Sequence, residues 1–324
     1  MFCCVLLYFL GGELLSNFIV SLNVVLPLFC LMILGFALRK LGLFDADFLK
    51  KCNKLLFNVL LPTLVFYSLY HSDIRDVFDF RLLLYGAVGI TVYFAIVWFS
   101  CAKLIKDKNL SATTVQGAYR SNCLIFGIPI ATALYGTGGI GPTALIACVM
   151  VPLYNVFSVL IFSDKKSGFK QQFWEVITNP LIIAVILGLV FVALNLKLPA
   201  GLESAVGSVS QIGSPFSLII LGASFHFSIP RAKLAPLAGT LSLKLVIEPL
   251  IFLTIGYLVF NFSGSFFVGL MAAFATPSSS TSYIVATEMG GDSELAAQIV
   301  VYSSLASIFT IFCIVFIGIN LGIL

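Results

Sequence analysis

The chain has 324 residues, of which 60% are hydrophobic and 10% are charged, and its mean hydropathy is +1.10. Soluble domains carry about 25% charged residues, so this composition excludes an ordinary soluble protein and indicates one that lies in a membrane. The formal net charge of +4 comes from basic loops, where anionic lipid accounts for it without a nucleic-acid partner.

Apolar stretches of about 20 residues, the length that crosses a bilayer as a helix, recur along the chain. Residues 1–15 are too short to span and lack the basic start of a signal peptide, so we expect them to form a peripheral leader. The remaining chain predicts an all-α, multi-pass membrane protein. Ten spans are predicted, at residues 16–38, 53–71, 80–104, 114–136, 140–162, 178–196, 204–226, 234–260, 265–290 and 294–320.

Lysine and arginine lie mainly in the loops on one side of these spans. The opposite side has only Arg75, Arg81 and Lys197. Because cytoplasmic loops are enriched in basic residues, the basic side is predicted to be cytoplasmic and both termini to face outward. The loop after the ninth span is an acidic exception on that side. The thirteen residues of the basic side are Arg39, Lys40, Lys50, Lys51, Lys54, Lys103, Lys106, Lys108, Lys165, Lys166, Lys170, Arg231 and Lys233.

The longest polar loop divides the predicted spans into two sets of five. This loop covers residues 164–177 and is predicted to be cytoplasmic, and the two sets occupy 16–163 and 178–324. Because five is odd, two similar halves must insert with opposite topology, which is the inverted-repeat plan of many secondary transporters. Mid-span prolines in the second and seventh spans, Pro62 and Pro215, support the pairing.

The fourth and ninth spans, which hold the same place in the two halves, are each interrupted near the middle. In the ninth span Pro277 precedes the hydroxyl run 278–282; proline breaks the helical ladder, and hydroxyls favour capping over continuing a helix. In the fourth span Asn122 precedes Gly127 and Pro129, a weaker break. Irregular backbone at this depth is tolerated where it lines a cavity or is buried in protein. The matched pair therefore predicts a binding site, with two simple proline kinks as the alternative.

Three segments resemble the auxin efflux carrier family, which includes plant PIN-type exporters and bacterial carboxylate permeases such as malonate carriers. They are residues 25–69, SNCLIFGIPIATALYG at 121–136 and FATPSSSTSYIVATEMGGD at 274–292. The resemblance implies ten helices, with the two broken ones crossing at the membrane midplane. It also implies a scaffold of spans one, two, six and seven, an elevator-like motion of the other six, a homodimer formed through the scaffold, and a place in the bacterial inner (plasma) membrane.

The resemblance also implies where a substrate carboxylate binds. In the plant exporters, asparagines near a proline in each broken helix hold the carboxylate. Asn122 matches the asparagine of the fourth span and Pro277 matches the proline of the ninth. Ser121 stands where the plant proteins have proline, and no asparagine follows Pro277. Hydroxyl groups would therefore supply the remaining polar contacts, from Ser278, Ser279 and Ser280.

Elementary chemistry of the same residues agrees with an anion site. A half-helix that begins after Pro277 directs unpaired N–H groups and its positive dipole end at the break. Serine hydroxyls and the Asn122 amide can donate hydrogen bonds to a carboxylate. The alternative for the serine run is close helix packing, which small residues permit.

Four further polar residues within the spans are candidates for function. Asn155, in the fifth span, belongs either to the site or to an interhelical hydrogen bond, because an unpaired amide is costly in hydrocarbon. Arg120 either attracts an anionic substrate or extends to the interface. Lys244 and Glu248 are four residues apart on one helix face, so they form a salt bridge, or Glu248 carries a coupling proton.

No cofactor or metal is predicted, because the eight cysteines show no ligand spacing and no Walker motif is present. The leading hypothesis is a secondary transporter of a small organic anion, a mono- or dicarboxylate such as malonate or malate, coupled to the membrane potential, H⁺ or Na⁺. The alternatives are a Na⁺-coupled symporter of the bile-acid type, an intramembrane enzyme, and a non-transporting sensor. An enzyme is disfavoured because the spans hold neither paired aspartates nor a Ser/His pair.

Overall fold

The computed structural model describes residues 2–71, 78–162, 178, 180–225 and 233–324, and every regular element in these ranges is helical. The predicted loop 164–177 lies outside the described residues, as do Arg75 and Arg231. The α-helices are α1 Phe2–Lys40, α2 Ala46–Leu55, α3 Leu61–Tyr70, α4 Phe80–Leu104, α5 Lys108–Tyr119, α6 Gly127–Tyr135, α7 Ile140–Phe162, α8 Pro180–Ala193, α9 Ala200–Ala223, α10 Leu234–Ser242, α11 Glu248–Leu258, α12 Gly264–Phe274, α13 Thr281–Glu288 and α14 Ser293–Asn320.

Seven segments of the described chain are long and apolar enough to cross a membrane, which confirms an all-helical, multi-pass architecture. The predicted fourth and ninth spans are each two shorter helices, and the predicted sixth is the 14-residue helix α8. Helix length alone therefore does not confirm ten spans. Helix α1 begins at Phe2, so residues 2–13 continue the first span, and a peripheral leader stays a prediction. The seven segments are Leu14–Lys40, Ala46–Tyr70, Phe80–Leu104, Ile140–Phe162, Ala200–Ala223, Leu234–Leu258 and Ser293–Asn320.

The helices of spans one, two, six and seven pack on one another: α1 lies along α9, and α3 contacts both α8 and α9. Two glycines allow α1 and α9 to approach closely. A Cβ atom on Gly35 would lie 1.9 Å from the carbonyl oxygen of Ile219, and one on Gly222 would lie 1.9 Å from that of Met32. Since these neighbours are backbone atoms, a side chain at either position would force the helices apart.

Spans two and eight each contain a π-helical turn just before a proline. The turns are Leu56–Leu60, ahead of Pro62, and Leu243–Ile247, ahead of Pro249. Proline lacks an N–H and clashes with the carbonyl four residues earlier, and a wider turn lets the span continue past it. In span eight this turn carries Lys244 inward, where its side chain is fully buried.

The acidic loop after span nine is paired with a basic residue from the loop before span eight. Lys233 Nζ lies 2.7 Å from Asp292 Oδ1 and 2.8 Å from Glu294 Oε2. Burial alone would raise the pKa of Asp292, but hydrogen bonds from the Leu295 N–H and from Lys233 lower it. The acidic exception to the charge pattern thus lies against the basic side, as the predicted topology requires.

The close packing of α1 on α9 leads to a prediction. Gly222→Ala should lower the melting temperature of the detergent-solubilised protein, because overpacking costs about 1–3 kcal/mol. The matched control is Gly201→Ala in the same helix, where a Cβ atom meets nothing within 4 Å and alanine favours the helix by up to about 1 kcal/mol. Equal melting temperatures for the two variants would contradict the observed packing.

Candidate functional site

Both predicted interruptions are present, and they touch. The chain leaves helical geometry between α5 and α6 and again between α12 and α13, and we call residues 120–126 and 275–280 together the crossing. Ser121 and Ser278 form an antiparallel β-bridge. The Asn122 N–H donates to the Pro277 carbonyl at 2.8 Å, and the Ser279 N–H donates to the Arg120 carbonyl at 2.9 Å. Each break thereby satisfies buried backbone groups of the other.

Ser278 completes the crossing rather than facing a cavity. It is fully buried, its hydroxyl donates to the Gly117 carbonyl at 2.6 Å, and its N–H donates to Ser303 Oγ at 3.1 Å. Gly117 lies in the last turn of α5, where carbonyls lack helical partners. This serine therefore replaces a hydrogen bond that the broken helix cannot make.

A cavity of about 260 Å³ lies beside the crossing. Its polar lining comes mainly from the crossing and its flanks, and its apolar lining includes residues of the second, fifth and sixth spans. Of the predicted site residues it is lined by Arg120, Asn122, Asn155 and Ser279, and not by Pro277, Ser278, Ser280, Lys244 or Glu248. The full lining is Phe57, Asn58, Arg120, Ser121, Asn122, Cys123, Leu124, Ile125, Val151, Tyr154, Asn155, Pro180, Ser279 and Thr281.

Asn122 supplies an unused hydrogen-bond donor in this cavity lining. The residue is 4% exposed, and its buried Nδ2 atom has no hydrogen-bond partner among the described residues. Leaving a buried polar group unpaired costs about 1–3 kcal/mol, and such groups call for an explanation in a folded protein. The Nδ2 atom itself has almost no accessible surface, so the amide would have to turn toward the cavity before it could donate to a bound ligand.

Arg120 is a buried cation whose partners are all neutral. It is 5% exposed, so it does not extend to the interface. Its guanidinium donates to Asn155 Oδ1 at 2.9 Å, to Ser158 Oγ at 3.1 Å, to Thr281 Oγ1 at 3.2 Å and to the Tyr154 carbonyl at 3.4 Å. No carboxylate whose side chain the structure describes lies within 4.0 Å of it.

Because these partners are neutral, Arg120 gives this part of the cavity a positive charge without a counter-ion among the described side chains. An isolated charge is expensive to bury. Asn155 makes the interhelical hydrogen bond, to Arg120, and it also lines the cavity, while its place in a substrate site stays a prediction. Ser279, 8% exposed, shares a hydrogen bond of 2.9 Å with Thr281. Ser280 is half-buried and makes no capping hydrogen bond to α13.

Two polar partners of Arg120 were missed in the sequence. Thr281 belongs to the hydroxyl run after Pro277, and its position just past the serines was the available signal. Ser158 follows Asn155 by three residues, which places both on one face of α7. That spacing was visible, but serine is common in membrane helices, where it bonds its own backbone.

Lys244 and Glu248 form the predicted salt bridge, at 2.6 Å and with both side chains fully buried. Lys244 Nζ also donates to Ser121 Oγ, and that hydroxyl donates to the Ala273 carbonyl at 2.5 Å. The pair therefore contacts the crossing without lining the cavity. Glu248 Oε1 has no hydrogen-bond partner among the described residues.

The sequence matches known proteins along most of its length. Residues 20–315 match the sequence profile of the family described as "Membrane transport protein". The chain belongs to this family. The match confirms the resemblance to auxin efflux carriers, and it makes the chain a membrane transport protein rather than an enzyme.

Relatives of this membrane transport protein carry transporter names. It is 25% identical over 298 residues to an "Uncharacterized transporter" of Methanothermobacter thermautotrophicus, covering 90% of this chain and 96% of the relative. It is 25% identical over 248 residues to the "Uncharacterized transporter YfdV" of Escherichia coli, covering 71% and 76%. It is 22% identical over 306 residues to a "Putative malonate transporter" of Rhizobium meliloti, covering 89% and 93%.

Proposed function

We propose that the chain is a secondary transporter that carries a small organic anion, a mono- or dicarboxylate, through the cavity beside the crossing. The observation that carries this proposal is Arg120, a buried guanidinium that meets only neutral acceptors among the described residues. It lines a cavity large enough to admit a small solute. A carboxylate there would supply the missing negative charge, and Arg–carboxylate pairs are among the strongest hydrogen-bonded contacts in proteins.

Each neighbour of Arg120 then has a distinct part in binding. The Asn122 amide would donate a second hydrogen bond to the carboxylate. Asn155 and Thr281 already hold the guanidinium and would fix its orientation as the anion arrives. Helix α13 begins beside the cavity, so its N-terminal dipole adds positive potential there. Ser279 offers a hydroxyl at the same edge.

The proposed architecture is that of two inverted five-helix repeats, residues 16–163 and 178–324, with ten spans and a leader at 1–15. The packing of α1, α3, α8 and α9 on one another supports a scaffold against which the other spans move as an elevator. A homodimer would form through that scaffold. The protein would lie in the inner (plasma) membrane with both termini outside.

The predicted membrane orientation indicates the side of the membrane that the cavity faces. Helix α5 runs from Lys108 to Tyr119, so Arg120 follows the helix end that lies opposite the basic loop, whereas α8 starts at Pro180, next to the predicted cytoplasmic loop. The cavity is lined by both the crossing and the start of α8, so it lies on the predicted cytoplasmic side of the crossing. Under the proposed topology, the cavity belongs to a conformation that faces the cytoplasm.

Malonate is one acid worth testing first, because the Rhizobium relative bears the name of a malonate transporter. Malate is a second dicarboxylate of similar size. Glu248 is a candidate for proton coupling: it is fully buried, one of its oxygens has no partner in the part of the chain that the structure describes, and Lys244 and Ser121 link it to the crossing.

The direct test of the proposal is flux in proteoliposomes. We expect at least one labelled mono- or dicarboxylate to be carried by the wild type, and Arg120→Gln to reduce that flux at least tenfold, because losing a charged hydrogen bond costs about 1.5–3 kcal/mol. The matched control is Arg81→Gln, whose side chain is 70% exposed and pairs with Asp79. It should transport like the wild type.

Imposing pH, Na⁺ and voltage gradients in turn identifies the driving force in the same vesicles. The proposal fails if folded, reconstituted wild type carries no acid of the panel under any gradient, or if Arg120→Gln is as active as Arg81→Gln.

Proton coupling through Glu248 has its own test. Glu248→Gln should abolish the part of carboxylate flux that an imposed pH gradient drives, because the amide cannot exchange a proton. Carboxylate exchange without any gradient, measured on the same vesicles, should persist and shows that the variant is folded. If a pH gradient still drives flux in Glu248→Gln, the coupling proton is carried elsewhere.

A further inference from the structure

The end of helix α12 at the crossing is a place where a cation is favoured. The helix stops at Phe274, so the carbonyls of its last turn lack helical partners and its dipole places negative potential there. The Ala273 carbonyl accepts hydrogen bonds from Ser121 Oγ at 2.5 Å and from the Tyr154 hydroxyl at 3.4 Å. Such carbonyl ends of discontinuous helices are where ion-coupled carriers bind Na⁺ or H⁺.

In this chain a side-chain ammonium lies beside that helix end. Lys244 Nζ, fully buried, contacts Ser121 Oγ and lies 2.6 Å from Glu248 Oε2. Its two partners are thus a carboxylate oxygen and a hydroxyl that is itself bonded to the Ala273 carbonyl. Oxygen ligands of these kinds also bind a hard cation such as Na⁺.

We infer that Lys244 is a built-in cation of the crossing, which occupies the position that a coupling metal ion would otherwise take. The inference rests on the proposed function, and it removes Na⁺ from the possible coupling ions. Lys244 is a positioning residue, since it acts on the broken helices through Ser121 and does not line the cavity.

The geometry also explains why the cation is tethered. Lys244 lies in the π-helical turn Leu243–Ile247, just before Pro249. Its counter-ion, Glu248, follows four residues later in the same span, so the chain supplies both charges together. A free ion would have to be dehydrated at each transport cycle, whereas a lysine is dehydrated once, when the protein folds. Ser121, where the resemblance places a proline in the plant exporters, provides the hydroxyl that receives the ammonium.

The test compares two truncations of Lys244 by thermal unfolding of the purified protein in four chloride salts: N-methyl-D-glucamine, Na⁺, K⁺ and methylammonium. Lys244→Ala leaves a space with carboxylate and hydroxyl oxygens and no cation. Lys244→Met fills most of that space with an apolar chain. Both should melt below the wild type, since each leaves Glu248 unpaired.

We expect small cations to rescue only the alanine variant. Na⁺ or methylammonium should raise the melting temperature of Lys244→Ala by at least about 2 °C over N-methyl-D-glucamine. The methionine variant should show no difference among the salts. The wild type should melt at the same temperature in all four, because its cation is already in place. This readout needs no substrate, so its outcome is separate from that of the flux test.

Three results would overturn the inference. The first is a wild type that Na⁺ stabilises over N-methyl-D-glucamine, which would place a metal ion at the crossing beside the lysine. The second is rescue of Lys244→Met to the same extent as Lys244→Ala. The third is a melting temperature of Lys244→Ala that is the same in all four salts. Lys244 would then be only the salt-bridge partner of Glu248.

Discussion

The structure depends on two interrupted helices that satisfy each other's backbone groups where these are buried in the protein. One β-bridge, between Ser121 and Ser278, and its two flanking hydrogen bonds join the breaks. Either break alone would leave buried backbone N–H and carbonyl groups unpaired, which costs about 1–3 kcal/mol for each group. Ser278 adds a hydroxyl for a last-turn carbonyl of α5. The crossing is therefore a single cooperative unit, and the cavity is a consequence of it.

Two buried cations contact this unit, and they differ in how their charge is balanced. Lys244 has Glu248 as a counter-ion within the protein, whereas Arg120 has only neutral acceptors among the described residues. A balanced charge can remain permanently in a low-dielectric interior, but an unbalanced one favours an anion from solution. The contrast supports the different parts that we propose for them: Lys244 stabilises the broken helices, and Arg120 attracts the anion.

Much of the fold was predictable because it follows from long apolar runs. The predicted third and fifth spans, 80–104 and 140–162, coincide with α4 and α7. The breaks were predictable too, since Pro277 and the serines that follow it disfavour a continuous helix. The direction of each hydroxyl could not be predicted. Ser278 and Ser279 are neighbours in one polar run, but the Ser278 hydroxyl donates to a backbone carbonyl whereas Ser279 lines the cavity. Arg120 could be placed in a span, but its burial against Asn155 depends on how α5 and α7 pack, which sequence spacing does not determine.

The central claim is that the unbalanced charge of Arg120 and the unpaired amide of Asn122 together bind a carboxylate. It is tested most directly by a cryo-electron microscopy structure of the protein in lipid nanodiscs, saturated with the acid that gives the highest flux. We expect density for the carboxylate within about 3 Å of an Arg120 Nη atom and of Asn122 Nδ2, as charge-assisted hydrogen bonds require. A bound acid elsewhere in the protein, with the Arg120 guanidinium still surrounded only by Asn155, Ser158, Thr281 and Tyr154, would contradict it.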